Sequence, residues 1–264
     1  SQLQQVNELI HASVHSDITL LKTALDIQFK ETGKQIRPQL VLMTAASLND
    51  MDDTAITLAA IIQMLHVATL MHDDVIDESD TRRNKPNTRN LLGNKTSILA
   101  GDFIYAASFD LIAKLKNTEI TERIAKATLT ILSGEVRQWQ HQVDQSFDES
   151  TYQKIIAEKT AKLFELATSI ICHTNTKHQP YLKQLVAFGQ QLGTAFQMID
   201  DILDYSGTSG KPMGIDFFEK KATLPILKLL QQATSTEQKL IKQTFGIDQT
   251  PPLTELKQNH IKEQ

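Results

Sequence analysis

The feature that most constrains this chain is a D-D-x-x-D sequence that occurs twice, each time closing an apolar, helix-forming run. The first lies in Met64–Arg83, MLHVATLMHDDVIDESDTRR, which passes from apolar residues into Asp73, Asp74, Asp77, Glu78 and Asp80 and ends on Arg82 and Arg83. On a helix, Asp73 and Asp77 share one face, where like charges repel. They also fall at a helix end whose dipole is already negative. The second, FQMIDDILDY, repeats the spacing with Asp200, Asp201 and Asp204. One such cluster reads as a solvated acidic face or a helix-end cap. Two matching clusters of carboxylates point to hard divalent cations, with Mg²⁺ shared between protein and substrate phosphates. An EF-hand is a poor fit, because neither stretch has its ligand order or central glycine.

Apolar residues recur at three-to-four residue spacing almost throughout, and alternating β-branched runs are scarce. Helices are predicted over about 3–12, 17–31, 37–48, 53–77, 94–115, 118–143, 149–173, 178–204, 222–231 and 235–244. No Gly-, Ser- or Pro-rich linker divides them, so the expectation is all-α: one domain over 1–264, a large helical bundle whose two acid-bearing helices face across a central cavity. Lys plus Arg number 27 against 31 Asp plus Glu, which gives no electrostatic reason to expect nucleic acid. The single Cys172 cannot pair within the chain and reads as a buried thiol, as in a reducing cytoplasm. The most apolar stretch, Ile56–Met71, carries Thr57, Gln63, His66 and Thr69 and reads as too short and too polar to span a bilayer. With no signal peptide visible either, a soluble protein is expected. Trp139, in GEVRQWQHQ, reads as a packing residue.

The pair DDVID and DDILD, with HVATLMHDDVIDESDTRR around the first, resembles the two aspartate-rich motifs of the trans-isoprenyl diphosphate synthases, long-chain bacterial members above all. The likeness implies a helical isoprenoid-synthase fold and a Mg²⁺-dependent prenyltransferase, with three ions held by Asp73, Asp74, Asp77, Asp200, Asp201 and Asp204. It implies isopentenyl diphosphate and an allylic diphosphate such as farnesyl as substrates, polyprenyl chains for quinones as product, and a homodimer. Long-chain members continue beyond the TLPILKL helix, so the chain is expected to be short at its C-terminus. A class I terpene cyclase shares the first acid motif, but its second motif normally mixes Asn, Ser and Glu. An HD-type phosphohydrolase, suggested by His66 and His72–Asp73, leaves the second cluster and the arginine pair unexplained. A non-catalytic subunit usually lacks aspartates or cations that this chain keeps.

The cations follow the same pattern. Lys34 and Arg37 in TGKQIRP are two surface cations or, at a helix start, a grip for a diphosphate. The resemblance assigns them to isopentenyl diphosphate, with Thr32 standing where a second glycine is usual. His66 reads as a core histidine, and the resemblance makes it a further contact to that substrate. Arg82 and Arg83 suit bidentate phosphate recognition or an ion pair with nearby acids. By resemblance Arg82 takes the allylic diphosphate and Arg83 the isopentenyl one, with Asn84 in place of a usual glycine. Lys159 is otherwise one helical cation among several. By resemblance it serves the leaving diphosphate with Thr160, Lys211 and Lys221, and Lys220 again replaces a glycine. Gln197 is expected on the cavity face beside Asp200. Asp73, Asp77, Arg82, Lys159 and Asp200 form the expected catalytic set. Thr69 and Ala68 lie one turn before Asp73, with Leu65 and Ile62 below. Their small first layer goes, in this family, with longer products, octaprenyl being the leading length and geranylgeranyl the shorter alternative.

Overall fold

The computed structural model describes residues 1–30, 33–83, 85–206 and 214–247; Thr32, Asn84, Lys211 and the Pro251–Pro252 pair lie outside them. The described chain is helical apart from one short hairpin. In order it forms α1 (Gln2–Ser13), α2 (Thr19–Phe29), α3 (Ile36–Ser47), α4 (Asp53–Ile76), β1 (Thr81–Arg82), β2 (Lys85–Pro86), α5 (Thr88–Leu92) and α6 (Asn94–Lys114). There follow α7 (Thr118–Val143), α8 (Glu149–Ile156), α9 (Lys162–Ser169), α10 (Gln179–Asp204), α11 (Ile215–Phe218), α12 (Leu224–Gln232) and α13 (Ser235–Thr244). The long helices fall where periodicity places them. The antiparallel hairpin, pairing Thr81 with Pro86 and Arg82 with Lys85, and the short α5 and α11 were not expected. The single helix expected over 149–173 is also corrected. A π-turn at Ala157–Ala161 separates α8 from α9, and a 3₁₀ turn at Ile170–His173 follows. A π-turn inserts one residue into a helical repeat, a shift that apolar spacing does not report.

The residues group into two compact units, described separately. The first comprises Ser1–Ile131 and Thr160–Gly193. Its centre is α4, which packs against α6, α3 and α1 and is buried without a break from Leu58 to Leu65. A helix apolar on all sides has to be enclosed. Its start is fixed by Asp52, whose carboxylate accepts from the Ala55 N–H at 3.0 Å, a cap worth about 1 kcal/mol. Its end is a Schellman turn: the Ser79 N–H donates to the Asp74 carbonyl at 3.0 Å, and Glu78 stands at φ +50 where glycine is usual. That turn stops the helix directly at the acids. By length and apolarity α4 and α6 are both sufficient to cross a membrane, which corrects the expectation drawn from Ile56–Met71. Here 67% of the most apolar window of α4 is buried inside the protein. α6 approaches α4 closely: Ser97 Oγ donates to the Met71 carbonyl at 2.9 Å, and Gly101 lies under the His72 ring. A Cβ at Gly101 would come to 2.5 Å from His72 Nε2, so that glycine serves packing.

The second unit comprises Leu132–Lys159 and Thr194–Gln264. Its core gathers Tyr152, Ile156, Tyr205, Phe217, Ile226, Leu227, Ile241 and Phe245. The Phe217 and Phe245 rings meet edge to face at 5.3 Å. α8 is capped by Asp148, and α13 begins with a reciprocal Thr234–Glu237 capping box. Along α7, Leu132, Val136, Trp139 and Val143 are exposed. Trp139, expected to pack, is 57% exposed because it belongs to this four-three-four seam and not to the core.

Candidate active site

In the first unit, α4 presents its acids in two directions. Successive helical residues are turned by about 100°, so Asp73 and Asp77 share a face that Asp74 leaves. Asp74 points inward and is 2% exposed. Arg82, delivered by β1, grips it with Nη2 at 2.7 Å and Nε at 3.1 Å from Oδ1. Asp73 and Asp77 remain half-buried at the helix end. Beyond the hairpin, Arg89 donates to the Asp80 carboxylate at 2.6 Å and to the Glu78 carbonyl at 2.9 Å.

The expected diphosphate cations of this unit converge. Arg83 lies so close over Gly33 that a Cβ there would run into its guanidinium. The TGKQIRP segment and the arginine pair are therefore neighbours. Arg37, in the first turn of α3, sits 4.4 Å over the Phe164 ring, with Nη1 3.1 Å from His66 Nε2. Since a guanidinium only donates, His66 accepts with Nε2 and carries its proton on Nδ1. Burial first, then the charges of Arg37, Arg82 and Arg83, hold the His66 imidazole well below its ordinary value, so it is neutral. Burial lowers Arg37 to about 10, which leaves it charged at neutral pH. Lys34 is exposed. Ile62, Leu65 and Ala68 are buried in the core cluster, and Thr69, half-buried, donates its hydroxyl to the His66 carbonyl at 2.7 Å.

The second unit repeats the inward–outward division with different partners. Asp200 is exposed and Asp204 half-buried, while Asp201 is 4% exposed. Tyr152 Oη donates to Asp201 Oδ2 at 2.6 Å, and Gln197 Nε2 donates to Oδ1 at 2.9 Å. Gln197 thus serves Asp201, one turn on. Burial raises the Asp201 carboxyl, its two donors oppose that, and Asp200 and Asp204 reinforce it. Asp216 is driven well above the usual carboxylate range by burial and then by Asp204, whose Oδ2 accepts from the Asp216 N–H at 3.1 Å. Lys221 lies 2.7 Å from Glu219.

Lys159 sits in the π-turn, 2.7 Å from Glu135 of α7, and its neighbour Thr160 is buried in the first unit. Arg137 Nε bonds Glu158 at 2.8 Å beside it. Tyr152, Glu135 and Asp216 were missed in the sequence. The two charged ones offered no signal beyond their type, and Tyr152 stands 49 positions from its partner.

Among the described residues no three His, Cys, Asp or Glu side chains converge closely enough to hold a metal ion unaided. Mg²⁺ does not require that, because it keeps waters and shares substrate phosphates. The donor chemistry fits it: oxygen-only pairs at the ends of α4 and α10, with a surplus of desolvated acid at the second. Asp73, Asp77, Asp200 and Asp204 are the carboxylates whose inward neighbours already have partners.

Residues 18–261 match the family model described as polyprenyl synthetase. The octaprenyl diphosphate synthase of Haemophilus influenzae is 37% identical over 246 residues, 92% of this chain and 75% of that protein. A decaprenyl diphosphate synthase structure from Rhodobacter capsulatus superposes with a TM-score of 0.90 at 34% identity, over 96% of this chain and 80% of that one. A polyprenyl synthase from Caulobacter crescentus, complexed with calcium and isoprenyl diphosphate, gives 0.87 at 33% identity, over 94% and 77%. The fold is accordingly that of the polyprenyl synthases.

Proposed function

Because the chain belongs to the polyprenyl synthetase family and so is a prenyltransferase, we propose that it condenses isopentenyl diphosphate with an allylic diphosphate such as farnesyl to build a long all-trans polyprenyl diphosphate, octaprenyl in length. The observation that carries this reading is the repeated division of the acids. Each D-D-x-x-D ends a long helix, turns its inner aspartate to an internal partner, and sets two further carboxylates one turn apart on another face. The calcium and isoprenyl diphosphate held by the Caulobacter relative support a divalent cation and a diphosphate here. Mg²⁺, when bound by Asp73, Asp77, Asp200 and Asp204 together with the diphosphate, would supply the charge neutralisation that makes it a leaving group.

The chain's own residues divide the rest. Arg82, oriented by Asp74, would meet the allylic diphosphate, and Lys159, held by Glu135 until substrate arrives, its departing end. Thr160, Lys211 and Lys221 would assist there. Lys34, Arg37 and Arg83 would fix the isopentenyl diphosphate, with His66 keeping Arg37 aimed. Departure of the diphosphate leaves an allylic cation, which the isopentenyl double bond attacks. Loss of a proton to the departed diphosphate then completes each five-carbon extension. Apolar walls protect the cation from water. The small Ala68 and Thr69, above Leu65 and Ile62, would leave room for a long product. The exposed α7 seam would be covered in a homodimer.

Incubation with Mg²⁺, labelled isopentenyl diphosphate and farnesyl diphosphate, then sizing of dephosphorylated products, tests the reading. A ladder ending near eight isoprene units is expected. A stop at three or four units would overturn the length, and no elongation would overturn the reaction. Ala68→Tyr is expected to shorten the product; an unchanged ladder would remove Ala68 from the product path.

A further inference from the structure

Asp201 is enclosed in the second unit without a basic residue against its carboxylate among the described hydrogen bonds and ion pairs, unlike Asp74 with Arg82. Its two donors are neutral, and they are not equivalent. Gln197 lies on the same helix, four residues back, and moves with Asp201. Tyr152 comes from α8, and its ring is anchored in the core beside Ile156, Tyr205 and Phe217. Its hydroxyl, 2.6 Å from Oδ2, is thus the contact that fixes Asp201 against something other than its own helix.

We propose that Tyr152 is the positioning residue of the second acid cluster: by holding Asp201 inward it sets the rotation of the α10 end and reserves the outer face for Asp200 and Asp204. The inference rests on the reading of those two carboxylates as holders of a divalent cation. Since α10 ends here, with the Gly214 N–H on the Asp204 carbonyl and the Asp216 N–H on its carboxylate, a small rotation of the last turn moves both outer acids together. A Phe at 152 keeps the ring and its packing and removes only the donor. Asp201 would then compete with Asp200 and Asp204 for the outer face.

The test is calorimetric titration of Mn²⁺ into the full chain in the presence of inorganic diphosphate, with turnover measured separately against Mg²⁺ concentration. Tyr152→Phe is expected to weaken binding about tenfold or more, in line with loss of a hydrogen bond to a charged group. Half-saturating Mg²⁺ then rises in proportion, while kcat at saturation stays within about threefold. Ile241→Val, a change in the same core away from the acids, is expected to lower Tm and leave affinity within about twofold. In an Asp201→Asn background, Tyr152→Phe adds nothing further. Unchanged affinity in Tyr152→Phe, or an equal loss in Ile241→Val, would overturn the proposal. Absence of any binding by the unaltered chain would instead overturn the reading of the site, and the inference with it.

Discussion

The two acid clusters share a spacing and differ in how their inner aspartate is neutralised. At the end of α4, Asp74 meets a guanidinium in a charge-assisted fork, and Arg89 takes Asp80 nearby. At the end of α10, Asp201 meets a phenol and an amide, and Asp200 and Asp204 push its carboxyl up, adding to the effect of burial. The same five-residue motif therefore sets its inner acid against a cation in one unit and against neutral donors in the other. Counter-charge, and not the motif, decides how much each region depends on an added cation.

The largest effect expected from this difference is on stability. Arg82→Met strands a buried charge, and since Arg82 is itself one-third exposed, a loss of about 2–4 kcal/mol is expected in chemical denaturation. Tyr152→Phe removes a neutral donor and is expected to lose about 1–2 kcal/mol. Equal losses would break the comparison. Next in size is a pH effect on the cation-free protein. Asp201 and Asp216 are raised in the fold, so between the ordinary carboxylate range and their raised values the folded chain holds more protons than the unfolded one. Stability then falls as pH rises through that window. Thermal melts in chelator at successive pH values are expected to show this slope. Asp216→Asn flattens it by on the order of 1.4 kcal/mol for each tenfold change in proton affinity.

The two helices α4 and α7 also differ in what they leave uncovered. α4 is enclosed, while α7 exposes Leu132, Val136, Trp139 and Val143. Trp139→Glu is expected to shift a dimer toward monomer by light scattering while changing protomer stability by no more than about 0.5 kcal/mol. An unchanged mass would remove this face from the assembly. The smallest effects belong to backbone strain. Glu78 at φ +50 and Lys220 at φ +58 both occupy left-handed positions that favour glycine. Replacing either with Gly is expected to stabilise by about 0.5 kcal/mol, the relief of strain being partly offset by the freer unfolded chain. A drop in Tm would show that the side chains earn their place by packing.

Much of this was legible in sequence, and the exceptions have physical causes. The long helices followed from apolar spacing, and α4 and α10 end at the acids as expected. Lys220, which stands where the family usually has glycine, has the positive φ that favours glycine, a conformation the substitution alone did not settle. What periodicity could not deliver was partnership across the chain. Asp201 and Tyr152 are 49 positions apart, and Gln197 could reach either Asp200 or Asp201 by helical spacing. Trp139 was read as packing from its residue type, and the exposure of Leu132, Val136 and Val143 along the same seam is seen only in the structure. The π-turn at Lys159 is set by local packing and leaves no periodic trace.

Region-resolved hydrogen exchange of the cation-free chain, repeated with Mg²⁺ alone, tests the central difference most directly. The cluster whose inner acid has only neutral partners is expected to gain the greater protection, over 200–206 and 214–221, with little change over 73–83. Equal protection of both stretches, or a larger gain at the end of α4, would contradict it.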